Sequence, residues 1–309
     1  MKVLVTGASG FTGRHMIRYM ASLQEDVPEI YGLYRSTMPE RIPGCTYIRG
    51  DLKNRDQIAA LVRHITPDAI IHLAGLNQGT LEDLLTANVI GTENLLESVR
   101  EEKPDTRVLA IGSSAEYGFS GEGPIPETAP LRPVGNYGVS KAAEDLLAMR
   151  YAAAYNLPIS VARPFNLVGP GQPPTFVCGR IVAQAVEIES GHRAKMELTG
   201  LDARRDFIDV RDAARAYWML IAHEAFVERC AGRAFNIGSG RDTSVAEVLR
   251  CVEAIAGTRY EVALPPSLPA ELVPTQRSDN ALIEKETGWE PEIPLRRSLE
   301  DMIRDTRAG

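Results

Sequence analysis

Short apolar runs rich in β-branched residues alternate with longer amphipathic segments through the first half of the chain. The short runs have the length and composition of buried strands and lie at residues 3–6, 30–34, 46–49, 69–73, 108–112 and 159–162. The longer segments repeat their apolar positions at helical spacing and predict helices at residues 13–23, 55–65, 81–99 and 137–155. This alternation predicts an α/β fold in which helices cover both faces of a doubly wound parallel sheet.

The regular alternation ends after residue 163, where prolines and glycines at 164, 169–171, 173 and 174 interrupt any long element. Beyond them the pattern predicts a helix at 176–190, an arginine- and aspartate-rich segment at 202–212, a strand at 234–237 that returns to the sheet, a proline-rich loop at 265–274 and a helical tail at 284–306. We therefore expect residues 1–165 plus about 206–240 to form the sheet domain. About 166–205 plus 241–309 form a smaller, partly interleaved C-terminal lobe in this interpretation.

Composition narrows the class of protein. The 309 residues are 44% hydrophobic and 24% charged, as in folded globular proteins. A net charge of −7 argues against nucleic acid as the main partner, and no apolar stretch reaches the roughly 18 residues of a membrane span. Met1 leads directly into the first predicted strand, so we expect no signal peptide and a cytoplasmic protein.

The chain contains four cysteines, and no two of them form a Cys-x-x-Cys pair. They are Cys45, Cys178, Cys230 and Cys251. Their wide spacing predicts reduced thiols rather than a disulfide framework, and it predicts no metal site.

Three glycines spaced G-x-x-G-x-x-G follow the first predicted strand and begin the first predicted helix. Gly7 permits a tight turn, Gly10 lets the backbone approach a pyrophosphate, and Gly13 lets the helix pack on the strand. The start of the helix presents free N–H groups and a positive partial charge to the phosphates. The segment therefore predicts a dinucleotide site with contacts from Gly7, Ser9, Gly10, Phe11, Thr12 and Gly13.

The end of the second strand bears on which dinucleotide binds. It reads Tyr34-Arg35-Ser36, where an NAD site usually offers an acidic residue to the ribose 2′-hydroxyl. The guanidinium of Arg35 suits a 2′-phosphate instead. The sequence therefore favours NADP(H), with NAD(H) as the alternative.

Further candidate contacts follow the third and fourth strands. Asp51 and Leu52 are placed to contact the adenine, although a helix cap is a simple alternative role for the aspartate. The fourth strand ends Leu73-Ala74-Gly75, where small side chains leave room for a cofactor to cross the sheet edge. Asn88, on a face of the following helix, is either a satisfied core amide or a support for the cofactor site.

A tyrosine and a lysine lie at i and i+4 on the predicted helix 137–155. This spacing puts Tyr137 and Lys141 on one face, where an ammonium favours the phenolate and lowers the pKa of the phenol toward neutral pH. Ser113 and Ser114 end the preceding strand, at the edge of the sheet where ligands bind. A serine hydroxyl there can hydrogen-bond the same substrate oxygen that the tyrosine would protonate.

These motifs and their order resemble the extended short-chain dehydrogenase/reductase family, whose fold is Rossmann-type. Further matching segments are His72-Leu73-Ala74-Gly75, Asn88-Val89-Ile90-Gly91-Thr92, Arg163-Pro164-Phe165-Asn166 and Arg205-Asp206-Phe207-Ile208-Asp209-Val210-Arg211-Asp212. The resemblance covers almost the whole chain. Within the family, the segments at residues 111–118, 163–172 and 201–207 are most similar to GDP-4-keto-6-deoxy-D-mannose reductases.

The resemblance implies a reaction and a role for each residue. Tyr137 would protonate the C4 oxygen of a 4-keto-6-deoxy sugar nucleotide as NADPH delivers hydride, with GDP-D-rhamnose as the product from the GDP-mannose derivative. Lys141 would hold the nicotinamide ribose, and Ser113 or Ser114, depending on how the shortened turn is counted, would polarise the carbonyl. The other implied contacts are Pro164 for the cofactor and Glu116, Asn166, Arg180, Arg205 and Arg277 for the nucleotide-diphosphate sugar.

The resemblance also implies a homodimer, formed through the helices at 81–99 and 137–155. One segment departs from the family pattern, because relatives often carry Arg-Pro before the C-terminal helix and this chain has Leu268-Pro269. That departure bears on the nucleotide base.

Two other functions stay open at this point. A 4,6-dehydratase or C4 epimerase would recycle its hydride internally, and Glu116 is a candidate dehydratase base. A dinucleotide sensor without activity is the other, although such proteins commonly lose the tyrosine or the lysine that this chain keeps.

Overall fold

The computed structural model describes residues 1–263 and 273–308. Seven parallel strands form the central sheet: β1 (Lys2–Thr6), β2 (Glu29–Tyr34), β3 (Cys45–Arg49), β4 (Ala69–His72), β5 (Arg107–Ile111), β6 (Ile159–Pro164) and β10 (Ala234–Ile237). Their order across the sheet is β10-β6-β5-β4-β1-β2-β3. The chain reverses its direction across the sheet between β1 and β4, which is where open α/β sheets bind ligands. The predicted doubly wound fold is confirmed.

Helices cover both faces of this sheet, because successive side chains along each strand point in opposite directions. Val3 and Val5 pack under α1 (Phe11–Ala21) and α7 (Val210–Ile221), whereas Leu4 packs on the opposite face. That opposite face is covered by α2 (Arg55–Ile65), α4 (Gly91–Glu102) and α5 (Asn136–Tyr155). Most strands are therefore apolar at most positions and read as hydrophobic runs. The edge strand β3 is the exception: it was predicted to be buried, but none of its residues is buried because it has a neighbouring strand on one side only.

A third apolar cluster belongs to the C-terminal part of the chain. It is enclosed by α6 (Val177–Glu189), α9 (Val245–Ala256) and α11 (Leu295–Ala308). Two small sheets join them, one made of β7 (Asn166–Val168), β9 (Arg204–Asp209) and β11 (Asp242–Ser244), the other of β8 (Met196–Glu197) and β12 (Val262–Ala263). The short helices α8 (Phe226–Arg229) and α10 (Ala281–Thr287) complete the described elements of this half. The division into a cofactor domain and a substrate lobe at the stated boundaries stays a prediction.

The predicted strands of the large sheet agree with the observed ones to within two residues at each end. The helix predicted at 81–99 is interrupted, since α3 (Leu81–Leu84) leads into a π-helical turn (Leu85–Ile90) before α4 begins. The tail predicted as one helix at 284–306 is two, because α10 ends at Gly288, whose φ of +71° stops the helix. The arginine- and aspartate-rich segment is β9 followed by the start of α7. Leu268-Pro269 and most of the predicted proline-rich loop lie outside the described residues.

Candidate active site

The glycine turn between β1 and α1 adopts a conformation that larger residues would not fit. Gly7 has a φ of +70°, and a Cβ there would lie 2.8 Å from the backbone nitrogen of Ala74. A Cβ at Gly13 would lie 2.2 Å from the carbonyl oxygen of Gly7. Helix α1 begins at Phe11, directly after Gly10, so its first N–H groups point into the space above the turn. This cradle fits the pyrophosphate of a dinucleotide.

A continuous cavity crosses the carboxyl edge of the central sheet. Its smaller part of about 220 Å³ lies against β2 and β3, and its larger part of about 700 Å³ extends over β5 and β6 toward the C-terminal half. Both parts share the glycine turn and the end of β4 as walls. The larger volume is within the range of sites for small molecules and cofactors.

Most of the residues predicted to act in binding or catalysis line this cavity. They are Gly7, Ser9, Gly10, Phe11, Thr12, Gly13, Arg35, Asp51, Leu52, Leu73, Ala74, Gly75, Ser113, Ser114, Tyr137, Lys141, Pro164, Asn166 and Arg205. Four predicted residues are not part of its wall, namely Asn88, Glu116, Arg180 and Arg277.

The Tyr137–Lys141 pair lies on one face of α5 beside the end of β5. The side chain of Ser113 lies close enough to the phenol of Tyr137 to help lower the pKa of that phenol. Lys141 Nζ donates to the carbonyl oxygen of Ile111 at 2.5 Å and to Glu144 Oε2 at 2.6 Å. The lysine is therefore fixed by β5 and by its own helix, with its ammonium next to the phenol.

Burial and charge act in opposite directions on the phenol. Burial raises the pKa of Tyr137, and this effect outweighs the lowering by the Lys141 ammonium and by the hydrogen bond to Ser113. The lysine therefore acts in the expected direction, but in the protein alone the pKa of the phenol stays above its ordinary value. The charge of Glu144 keeps the pKa of Lys141 raised although burial of the ammonium opposes it.

The two serines at the end of β5 have different positions. Ser113 caps the short 3₁₀ helix Ser114–Glu116, its hydroxyl accepting the N–H of Ala115 at 3.2 Å. In return, Glu116 Oε1 accepts the N–H of Ser113 at 2.6 Å. This reciprocal capping orients the Ser113 side chain. Ser113 is the serine whose side chain helps to lower the pKa of Tyr137. Ser114 also faces the cavity, but its carbonyl oxygen accepts from Gln276 at 2.9 Å.

Glu116 is fully buried behind the serines rather than open to the cavity. Its Oε2 lies 3.4 Å from Arg163 Nε, which donates to Asp145 Oδ2 at 2.7 Å. The guanidinium of Arg163 also donates to the hydroxyl of Tyr117 at 2.8 Å. Burial raises the pKa of the Glu116 carboxyl, and the neighbouring Asp145 adds to the effect. The group belongs to a buried network that joins α5 and β6 beneath the site.

Asn88 connects the two walls of the cavity from behind. Its Oδ1 accepts the N–H of Leu76 at 2.7 Å, while its Nδ2 donates to the Leu76 carbonyl oxygen and to Ser140 Oγ, both at 2.9 Å. A Cβ at Gly75 would lie 2.9 Å from the same Oδ1. Both roles left open by the sequence fit this geometry, because the fully buried amide has its hydrogen bonds satisfied and also joins the segment after β4 to α5.

The residues predicted to bind the substrate fall into two groups, those on strands that line the cavity and those outside its wall. Arg205 and Phe207 on β9 face the cavity, whereas the intervening Asp206 points inward and accepts hydrogen bonds from Ser239 and Ser278. Asn166 lines the cavity from β7. Arg180 instead donates to carbonyl oxygens of the loop before α6, and Arg277 lies close enough to Asp242 to help lower the pKa of that carboxyl.

The family model described as the NAD dependent epimerase/dehydratase family matches residues 3–238 of this chain. The chain belongs to this family. The match begins in β1 and ends just after β10, so it includes the whole central sheet and the Tyr137–Lys141 pair.

Individual members of the family resemble the chain over nearly its full length. A GDP-6-deoxy-D-mannose reductase from Pseudomonas aeruginosa is 31% identical over 98% of this chain and 96% of its own. The structure of RMD from Pseudomonas aeruginosa complexed with NADPH is 29% identical with a TM-score of 0.85, and covers 100% of this chain and 99% of its own. MoeE5 in complex with UDP-glucuronic acid and NAD is 28% identical with a TM-score of 0.86, and covers the same shares. This member of the epimerase/dehydratase family is thus an extended short-chain dehydrogenase/reductase, an NAD(P)-dependent enzyme of nucleotide sugars.

Several side chains in the wall of the cavity were not predicted from the sequence, among them Gln276, Gln172 and Lys53. Gln276 is buried and donates to the carbonyl oxygens of Ser114 and Gly118, both at 2.9 Å, so it holds the serine turn. Gln172 and Lys53 line the sugar end and the adenine end. Lys53 follows Asp51-Leu52 directly, so it could have been predicted from the sequence. No motif in the sequence around Gln276 distinguishes that residue.

Two further observations concern the described part of the chain. Across residues 1–263 and 273–308, no helix has the length and apolar character needed to cross a membrane. In those same ranges, no three His, Cys, Asp or Glu side chains come together as a metal site.

Proposed function

We propose that the enzyme reduces the C4 keto group of an NDP-4-keto-6-deoxyhexose with NADPH, and that the substrate is GDP-4-keto-6-deoxy-D-mannose and the product GDP-D-rhamnose. The observation that carries the carbonyl chemistry is that Tyr137, Lys141 and Ser113 line the same, larger part of the cavity, where Lys141 and Ser113 both act to lower the pKa of the phenol. The similarity to a GDP-6-deoxy-D-mannose reductase over almost the whole of both chains supports the choice of substrate.

The chain's own residues supply the proton side of this reaction. When bound, the reduced nicotinamide gives a hydride to C4 and is itself oxidised. Tyr137 gives its proton to the C4 oxygen, so that the carbonyl becomes a hydroxyl and the phenol a phenolate. Ser113 donates a hydrogen bond to the same oxygen, and the Lys141 ammonium stabilises the phenolate that forms.

A carboxylate base next to the serine is what a 4,6-dehydratase would need. The candidate, Glu116, is turned away from the cavity and engaged with the N–H of Ser113 and with Arg163. This position supports reduction over dehydration. C4 epimerisation with a retained cofactor would use the same tyrosine and lysine. The test for NADPH consumption given below distinguishes it from reduction.

Arg35 and Ser36 line the adenine end of the cavity at the place of the usual acidic residue, and this supports NADP(H). The Arg35→Ser variant is expected to weaken NADPH binding about tenfold or more, and to leave NADH binding nearly unchanged. Arg41→Ser, which removes an exposed arginine from the following loop, is the matched control. Equal weakening of both cofactors would contradict the proposed role of Arg35.

At the other end of the cavity, Arg205 is proposed to bind the diphosphate and Asn166 the sugar. Both lie in the cavity wall, which supports this assignment. Arg180 and Arg277 stay weaker candidates for the same phosphates, because neither lines the cavity and Arg180 donates to carbonyl oxygens of the loop before α6.

The homodimer is proposed through the helical segments 81–99 and 137–155. Exposed apolar side chains on these segments support it, since Ile90 is 46% and Leu146 62% exposed in the single chain. Val139 and Tyr155 are also exposed along α5. A second copy would cover them.

The deciding experiment mixes the purified protein and NADPH with freshly generated GDP-4-keto-6-deoxy-D-mannose and follows the absorbance of the reduced nicotinamide. Stoichiometric loss of NADPH is expected, and Tyr137→Phe should slow it about 10²–10⁴-fold. Turnover of an unreduced NDP-hexose without added cofactor would replace this proposal with the dehydratase or the epimerase.

A further inference from the structure

An acidic residue, Glu144, contacts Lys141 of the Tyr137–Lys141 pair from the protein interior. Glu144 follows Lys141 by three residues on α5, is 1% exposed, and is not part of the cavity wall. Its Oε2 accepts from Lys141 Nζ at 2.6 Å. The lysine thus has the phenol on its cavity side and, above the pKa of about 7 to which burial raises Glu144, a carboxylate on its buried side.

The groups around Glu144 show that its charge is directed at the lysine. His72 on β4 lies 4.0 Å from Oε1, but burial lowers the pKa of that imidazole to about 3, so it is neutral. Asp145 on the same helix is paired with Arg163 on β6. Glu116 in the 3₁₀ helix is engaged with the same arginine. The ammonium of Lys141 is therefore the one cation that contacts Glu144 among the described residues.

This arrangement has a consequence for the proton on Tyr137. The ammonium of Lys141 lowers the pKa of the phenol, and the carboxylate of Glu144 raises it. Glu144 also raises the pKa of Lys141, which burial would otherwise lower. Both effects make it harder for the pair to lose its first proton. A carbonyl reductase needs that proton in place when the hydride is transferred.

We propose that Glu144 is a positioning residue that keeps the Tyr137–Lys141 pair fully protonated, and so favours reduction of a carbonyl over oxidation of an alcohol. This inference rests on the proposed reductase function. Glu144 acts through the lysine and does not touch the substrate. A side chain outside the cavity thereby extends to higher pH the range in which the enzyme holds the proton that reduction needs.

The Glu144→Gln variant tests this, because the amide keeps an oxygen that can accept from Lys141 but removes the charge. Tyrosinate absorbance is titrated in each protein and in the same protein with Tyr137→Phe, so that the difference reports Tyr137 alone. The first deprotonation of the pair is expected about one pH unit lower in the variant. The alkaline limb of kcat/KM for NADPH-dependent reduction should move by the same amount. Glu25→Gln, which removes an exposed carboxylate in the loop before β2, should move neither.

Unchanged titration and unchanged pH profile in Glu144→Gln would overturn the inference. Should the glutamine variant fail to fold, Glu144→Ala is expected to give the same downward shift, and Glu144→Asp to restore the wild-type profile. The titration needs no substrate. If the protein does not reduce the keto sugar, the proposed function fails, while the control of the pair's protonation by Glu144 is decided separately.

Discussion

Replacement of Asn88 by alanine tests whether this buried amide holds the site together. The change removes three hydrogen bonds of 2.7–2.9 Å, two to the backbone of Leu76 and one to Ser140 Oγ. Asn88 and Ser140 are fully buried. Each such bond contributes about 1 kcal/mol net, so the free energy of unfolding is expected to fall by about 3 kcal/mol.

The matched control is Asn94→Ala. Asn94 is one and a half turns further along the same helical run and makes one comparable bond, from its Nδ2 to the carbonyl oxygen of Leu52 at 2.8 Å. It is expected to cost about 1 kcal/mol. The two variants lose the same side-chain atoms, but Asn94 is only partly buried, so the difference of about 2 kcal/mol reports the additional bonds of Asn88 together with its deeper burial.

The assay is urea denaturation without cofactor, followed by both circular dichroism and tryptophan fluorescence. Coincident transitions with an unchanged slope are required before the midpoints are converted to free energies. If Asn88→Ala were no less stable than Asn94→Ala, the hydrogen-bond reasoning would be refuted. Water would then satisfy the hydrogen-bond partners of Asn88 as well as its side chain does.

Three further predictions follow from particular contacts. Gly13→Ala places a Cβ 2.2 Å from a backbone oxygen and should abolish dinucleotide binding by titration calorimetry, whereas Gly123→Ala, with open space around the Cβ, should bind normally; equal binding would contradict the close packing. His72 is held neutral in the fold, so the unfolded chain takes up a proton first as pH falls below its ordinary pKa of 6.5. The contribution of His72 to stability should fall by about 2 kcal/mol from pH 7 to pH 5, while Glu144, whose pKa burial raises to about 7, changes stability in the opposite direction. The effect of His72 is therefore measured as the difference between the wild type and His72→Gln in urea titrations at the two pH values, and a difference that does not change with pH would count against it. Leu146→Glu should convert the dimer to a monomer in light scattering, while Val227→Glu, equally exposed on α8, should not; a monomeric wild type would end the dimer proposal.

The sequence by itself determined those features that depend on near neighbours in the chain. The apolar runs predicted strands because short β-branched segments that are buried on both faces are typical of parallel sheets, and only the edge strand β3 is not buried. The glycine turn could be predicted from the sequence because Gly7, Gly10 and Gly13 are near neighbours in the chain and shape the same backbone turn. Tyr137 and Lys141 share a helix face through their spacing alone.

The boundaries of elements were less well determined. The π-helical turn around Asn88 gave no periodic signal, and its side chain is directed by the Leu76 backbone rather than by the pattern of its helix. The strand β9 could not be recognised from its sequence because charged residues interrupt the apolar pattern. Arg205 faces the cavity, and Asp206 accepts hydrogen bonds from hydroxyl and backbone N–H groups that are distant in the chain.

Only the tertiary structure decided what lies on each side of the catalytic pair. Ser113, whose side chain helps to lower the pKa of Tyr137, is held in place by Glu116, which returns to cap the turn from within. Gln276 reaches that turn from more than 150 residues away in the chain. Such contacts depend on how the C-terminal segments return over the sheet, and the order of residues along the chain carries no local record of that path.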